Sequence, residues 1–381
     1  MHMHEPFLKY TLAYTLIAST LFSFTVPVNI ERDSSDYDAC QYESHAYNSN
    51  ESFLREQNLL EPDSPENYLT VGQSSTEKKL IKWVDFRVPA AAMKKAIALD
   101  IASQDKPIQL HFIELLAYLA AKNGNNFGGY QNKQLDDLAA KLSAGKTMEE
   151  LTEKMKYYDY YLEAFTAVLG GFVGNYEIEV PNADGQGKHW EQRYGVKVFS
   201  PIAKGYYYGH YDDFGTGRGY GFSRRHLGND LIGSIGTPII AVESGVIEEM
   251  GWNQYGGWRI GIRSFDSHRY YYYAHMRKDF PYKTGLAVGS KVEAGDVIGY
   301  MGRTGYSIKE NVNGMNKTHL HFGMQLIFDE SQKDCMSEIW IDVYEIVNLL
   351  GTYRSAVVKD PETKNYNRVY DFNDLSFVPR D

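Results

Sequence analysis

The chain has 381 residues, 43% of them hydrophobic and 23% charged, which excludes wholesale disorder and a polytopic membrane protein. Its formal net charge of −10 argues against a dedicated nucleic-acid binder, which needs a basic stripe to displace phosphate counterions. Two cysteines, Cys40 and Cys335, are too few for a disulfide scaffold or a cysteine-ligated zinc site.

No residue from Tyr10 to Ile30 is charged, and this run matches the ~20 residues that cross a bilayer. Lys9 precedes it and Glu31, Asp33, Asp36 and Asp38 follow, so residues 1–30 are expected to be a transmembrane signal-anchor with the remainder outside the cell membrane. A cleaved signal peptide is the alternative, but no clear A-x-A site follows the run. An oxidising exterior would permit a Cys40–Cys335 disulfide. Residues 31–79 are polar, with 11 acids against four bases, and read as a flexible acidic tether. The stretch 200–330 carries 14 bases and 13 acids, so the acidity belongs mostly to the tether.

Residues 80–180 are predicted to form a small α-helical domain. One helix runs over Leu110–Lys122 and stops at Asn123-Gly124. In another, Leu135, Leu138, Ala139 and Leu142 repeat at i, i+3, i+4 and i+7, with Gly145 as the expected C-cap. Thr147 and Glu150 form a capping-box signature for a helix continuing through Leu151, Met155, Tyr158, Leu162 and Phe165. His111 and the Tyr157–Tyr161 cluster fit helix packing better than ligand binding. This block is expected to position the next domain, gate its cleft or restrain it.

From about Val196 the pattern changes to short β-branched and aromatic runs broken by glycine. Residues 238–242, 258–262, Arg269–Met276 and Lys317–Phe328 are predicted strands of an all-β domain spanning 195–330. The stretch from Val288 to Tyr300 resembles hairpins that also occur in biotin and lipoate carriers, a weak signal by itself. Residues 331–381 are read as a C-terminal helix, over Ile341–Val358, and a tail.

Four histidines and one aspartate stand out in the β region. His226 and Asp230 are separated by Leu-Gly-Asn, which favours a loop entering a strand. His319 and His321 alternate along a strand and share a face, while Leu320, Phe322, Met324 and Leu326 enter the core. Alternation likewise predicts that Tyr271, Tyr273 and His275 share a face. Imidazoles and a carboxylate with a vacant coordination position suit catalytic zinc. Each histidine alone is read as structural; their combination points to metal chemistry.

The ordered set His226-x-x-x-Asp230, Gly236-Thr237-Pro238, Tyr273-Ala-His275, Gly295-Asp-Val-Ile-Gly299, Thr304-Gly305-Tyr-Ser307 and His319-Leu-His321-Phe322 resembles the lysostaphin/LytM-type M23 zinc endopeptidases, over about residues 200–330. The resemblance implies an M23-type β-sandwich or half-barrel, so the chain is expected to be an α+β multidomain protein. It implies Zn2+ held by His226, Asp230 and His321. His275 and His319 are implied to be the non-ligand catalytic pair, His319 as general base and His275 stabilising the oxyanion or orienting water, two roles that the pair can share. It further implies hydrolysis of peptide bonds in bacterial peptidoglycan, with no nucleic-acid partner. The alternative is an inactive M23-like scaffold that binds cell wall or activates other hydrolases.

The chain departs from the family pattern between Ser307 and His319, where 308–317 is inserted and is expected to shape the substrate site. The segment 206–225 is also long. Its His210, Asp212 and Asp213 could supply an extra ligand but are better read as exposed loop residues. His268 is placed at a hairpin tip and His189 in a glycine-rich linker.

Overall fold

The computed structural model describes residues 80–219, 223–333 and 337–376. The expected membrane span, the tether and both cysteines lie outside these residues. Among the described residues no helix is long and apolar enough to cross a membrane.

Five helices come first: α1 (Ala90–Ser103), α2 (Phe112–Asn123), α3 (Asn132–Ser143), α4 (Met148–Thr152) and α5 (Tyr158–Leu169). Gly124 ends α2 at φ 58°, a left-handed C-cap that glycine adopts without a Cβ clash. Helix α3 buries Leu135, Leu138, Ala139 and Leu142, the face that the periodicity predicts, and its C-cap is Ala144 rather than Gly145. Thr147 and Glu150 cap α4 reciprocally, with Glu150 N donating to Thr147 Oγ1 at 3.1 Å. The single helix expected from Thr147 to Phe165 is two helices. Thr152 Oγ1 donates back to the Met148 carbonyl at 2.9 Å, and Met155 N closes a tight turn on the Thr152 carbonyl before α5 begins.

The helical run stops at Leu169, inside the expected 80–180 domain. Strands β1 (Val173–Pro181) and β2 (Lys188–Val196) then form a long antiparallel hairpin, which places His189 on a strand rather than in a linker. The C-terminal part is also richer than a helix and a tail. Helix α6 spans only Tyr344–Leu350, and three short strands follow: β15 (Val357–Lys359), β16 (Tyr366–Arg368) and β17 (Phe372–Asp374). Strand β17 pairs with β1, and the Lys197 ammonium meets the Asp374 carboxylate at 2.5 Å in a buried ion pair that fastens this edge. The pairing partner lies about two hundred residues upstream, so local periodicity could not report it.

The β region is mostly one eight-stranded antiparallel sheet. Its spatial order runs β11 (Lys291–Val292), β8 (Gly245–Asn253), β9 (Gly257–Ser264), β10 (Arg269–Ala274), β13 (His319–Leu326), β6 (Asn229–Ile232) and β3 (Gly209–His210), with β14 (Ile339–Ile341) also on β13. Strands β7 (Pro238–Ile240) and β12 (Val297–Tyr300) form a second, short sheet, and β4 (Gly217–Gly219) pairs with β5 (Ser223–Arg225). Leu320, Phe322, Met324 and Leu326 are all buried, as alternation along β13 requires.

Helices and sheet share one apolar core, which joins Leu115, Leu116 and Phe165 to Val242, Tyr271 and Phe322. A buried charge sits at the seam. Arg269 is fully buried, donates through Nη1 to the Ala167 carbonyl at 2.7 Å, and pairs through Nε with Glu243 Oε2 at 2.8 Å. Tyr271 OH donates to the same carboxylate oxygen at 2.7 Å. The helical block therefore rests on the start of β10, while Ala274 and His275 lie at its other end, about five to six strand residues or roughly 20 Å away. Among the described residues, those lining the cleft beside His275 come from the β region.

Candidate metal centre

Strand β13 supplies His319 and His321, and its antiparallel neighbours bring in the rest. His321 lies directly opposite Asp230 on β6 and opposite Ala274 on β10. His226 enters through the loop that precedes β6. That loop needs Gly228, because a Cβ there would stand 2.5 Å from the Phe322 carbonyl and 2.9 Å from the His321 ring. One ligand atom each from His226, Asp230 and His321 lies within 4.8 Å of the other two.

His226 Nε2 is 2.8 Å from His321 Nδ1 and 3.1 Å from Asp230 Oδ1, and His321 Nδ1 is 3.4 Å from that same oxygen. Asp230 Oδ1 is nonetheless buried without an aligned hydrogen bond. An oxygen and two imidazole nitrogens converging this closely, with the oxygen unsatisfied, fit a cation better than a hydrogen-bond network. The donor set of two imidazoles and one carboxylate, with no thiolate, is the kind that binds catalytic zinc.

The surrounding groups orient these donors. The Asp213 carbonyl and Arg218 Nη2 lie 3.1 and 3.2 Å from His226 Nδ1, so this nitrogen faces outward and Nε2 faces the cluster. Arg218 Nη2 donates to Asp230 Oδ2 at 3.2 Å and to Asp213 Oδ2 at 2.5 Å. It occupies the outer oxygen and leaves Oδ1 facing inward. Asp213 Oδ1 also accepts from Asp230 N at 3.2 Å. Asp213 and Arg218 are thus second-layer supports of the kind that ligand sets require. Sequence reading treated Asp213 as an exposed loop residue and passed over Arg218; no local motif marks either one.

The electrostatics follow from these contacts. Burial opposes a charge on His226, yet its bonds to Asp213 and Asp230 push its pKa up to about 9. Burial drives His321 down to about 4 despite its bond to Asp230, and the neighbouring charge on His226 adds to the fall. Burial also opposes the Asp230 charge, but the two imidazoles hold its pKa far below the usual carboxylate range.

His275 and His319 stand beside this cluster, their ring centroids 4.7 Å apart. His319 Nε2 is 3.8 Å from Asp230 Oδ1. His319 Nδ1 donates to the Lys317 carbonyl at 2.9 Å and His275 Nδ1 to the Thr304 carbonyl at 2.8 Å, so in the neutral form of each ring the lone pair lies at Nε2. Burial, with repulsion from His319 and His321, holds the His275 pKa well below its ordinary value. His275 does not share a face with Tyr271 and Tyr273. Those tyrosines are buried in the core, whereas His275 has φ 59°, a left-handed conformation that a non-glycine residue rarely adopts. The strand alternation breaks at that residue and turns the ring into the cleft beside Tyr272 and His321.

Residues 224–334 match peptidase family M23. Over 117 residues it is 39% identical to the L-Ala–D-Glu endopeptidase of Bacillus subtilis, covering 31% of this chain and 34% of that protein. Over 179 residues it is 39% identical to lysostaphin of Staphylococcus simulans, covering 46% of this chain and 32% of the other. Over 99 residues it is 31% identical to peptidoglycan DD-endopeptidase ShyC of Vibrio cholerae, covering 26% and 20% of the two chains. The chain thus spans about a third or less of the length of these curated relatives.

Among the described residues, the other histidines are not part of the His226–Asp230–His321 cluster. His210 is on β3, its ring centroid 4.4 Å from that of Tyr344. His268 is exposed in the turn between β9 and β10, and His111 is exposed at the N-cap of α2. Within the inserted loop 308–317, Asn311 Oδ1 accepts from Trp258 Nε1 and from Asp279 N, both at 2.9 Å. The Lys317 carbonyl at its end accepts from His319 Nδ1 and ties the loop to the site.

Proposed function

We propose that the chain is a zinc-dependent endopeptidase that hydrolyses peptide bonds of bacterial peptidoglycan. The carrying observation is the convergence of His226, Asp230 and His321 next to a histidine pair whose Nδ1 atoms are fixed by backbone carbonyls. His226 Nε2, Asp230 Oδ1 and His321 Nδ1 would hold the ion. Zinc bound there supplies Lewis acidity and brings the pKa of a coordinated water toward ~7.

The chain's own groups do the rest. His319, fixed by the Lys317 carbonyl, takes the proton from the attacking water at Nε2 and later returns it to the leaving amine. His275, its Nδ1 tied to the Thr304 carbonyl, offers Nε2 as an acceptor that orients the attacking water. Its strained backbone keeps the ring in place without relying on side-chain packing alone. All five positions are filled by competent side chains, which favours an enzyme over an inactive scaffold. The uncharged run Tyr10–Ile30, lying ahead of acidic residues, supports a single-pass membrane anchor with the M23 domain outside the cell membrane.

The test is to purify residues 80–381, measure bound zinc and incubate the protein with cell-wall sacculi. About one zinc per chain and newly freed amino groups are expected. Release undiminished by His319→Ala, or absent in the unsubstituted protein, overturns the reading. Protease shaving of intact cells tests the topology: an M23 domain that survives it without permeabilisation is not external.

A further inference from the structure

The cleft beside the histidines contains groups that neither the ligand set nor the histidine pair uses. Arg224, Arg225, Tyr255, Tyr272 and Trp340 line it, and no described lining residue is acidic. Arg224 is held in place. Its guanidinium carbon stands 5.4 Å from the Tyr255 ring centroid and 5.3 Å from that of Tyr306, and Nη2 donates to the Tyr306 hydroxyl at 2.5 Å. The Tyr306 ring centroid is in turn 6.1 Å from that of His275.

A guanidinium gripped between two aromatic faces has lost most of its rotamer freedom before any ligand arrives. Its planar fork matches a carboxylate with two parallel hydrogen bonds, and a partly desolvated cleft strengthens that pairing. Arg225, exposed at the same cleft, adds a second positive charge. An uncharged glycine bridge would leave this cation without a counter-charge.

We propose that Arg224 is an anion subsite that binds a free carboxylate on the residue flanking the scissile bond, so that the cleft selects acidic stem peptides over uncharged bridges. This rests on the wall-peptide reading above. Tyr255 and Tyr306 are positioning residues that aim the guanidinium.

The experiment compares two synthetic wall peptides of one sequence, one with a free α-carboxylate on its D-glutamate and one with the carboxamide, using the zinc-loaded full chain. Hydrolysis is followed by kcat and KM, and binding by calorimetry. The unsubstituted chain should favour the carboxylate peptide roughly tenfold or more, chiefly through binding and KM. Arg224→Gln should bring the ratio between the two peptides close to one, and Arg224→Lys should restore part of it. Zinc content and circular dichroism of both variants show whether they fold. Equal handling of the two peptides by the unsubstituted chain, or an unchanged ratio in a folded Arg224→Gln, overturns the proposal. Tighter binding of the carboxylate peptide without cleavage of either supports the subsite and overturns the hydrolase reading.

Discussion

Arg218 Nη2 lies 3.2 Å from Asp230 Oδ2, while Oδ1 of the same carboxylate is buried among imidazole nitrogens. One oxygen is fixed from outside and the other is presented inward. Second-layer groups of this kind typically control metal affinity by ~10–100-fold. Arg218→Ala should therefore weaken zinc binding by about that factor while leaving the three ligands in place. Chelator competition measures it, and unchanged affinity would remove Arg218 from the site.

The histidine pair separates binding from chemistry. Substituting His319 or His275 by Ala should leave about one zinc bound, because neither is among the three converging donors. Turnover should fall by roughly 10²–10⁴-fold, the usual loss for a positioned acid–base group. Parallel metal analysis and amino-group release check both halves. Loss of zinc in His319→Ala would instead make that residue a ligand.

Zinc affinity should depend on pH in a direction fixed by His226. Its pKa in the metal-free chain is raised to about 9, so below that value zinc must displace a proton. Apparent affinity should climb by about tenfold per pH unit from pH 7 toward 9, then level off. The corresponding stability runs the other way. The raised pKa contributes stability that is fully present below the ordinary histidine range near ~6.5 and is lost as pH rises through about 9. Chelator competition and thermal unfolding of the metal-free chain, each across that window, should therefore show opposite trends.

The seam between helices and sheet is held by a buried charge. Arg269→Ala leaves Glu243 buried without its guanidinium partner and frees the Ala167 carbonyl. The expected cost is about 3–5 kcal/mol, read from denaturant unfolding of the full chain. For the same reason, removing the helical block should destabilise the M23 domain rather than activate it. Faster turnover by residues 195–381 than by 80–381, at equal stability, would support a restraining role.

Much of this protein is legible in its sequence because the relevant order is local. The buried face of α3, the Thr147–Glu150 cap and the alternation along β13 depend on neighbours within a few residues. The spacing of His226, Asp230, His319 and His321 survives in one dimension because two adjacent strands and the loop leading into one of them carry these residues. Tertiary structure alone decided the rest. The backbone at His275 breaks the strand period, and only a left-handed φ brings that ring to His319. Asp213 and Arg218 became supports because a glycine-rich loop folds back on Asp230, and Arg224 became a candidate subsite because Tyr255 and Tyr306 approach it from separate loops. Arg269 reads as an ordinary strand residue until a helix end 102 positions earlier closes over it. Periodicity records which face a residue presents to its own element; contacts between distant segments are set by packing, and they determine which of those faces meet.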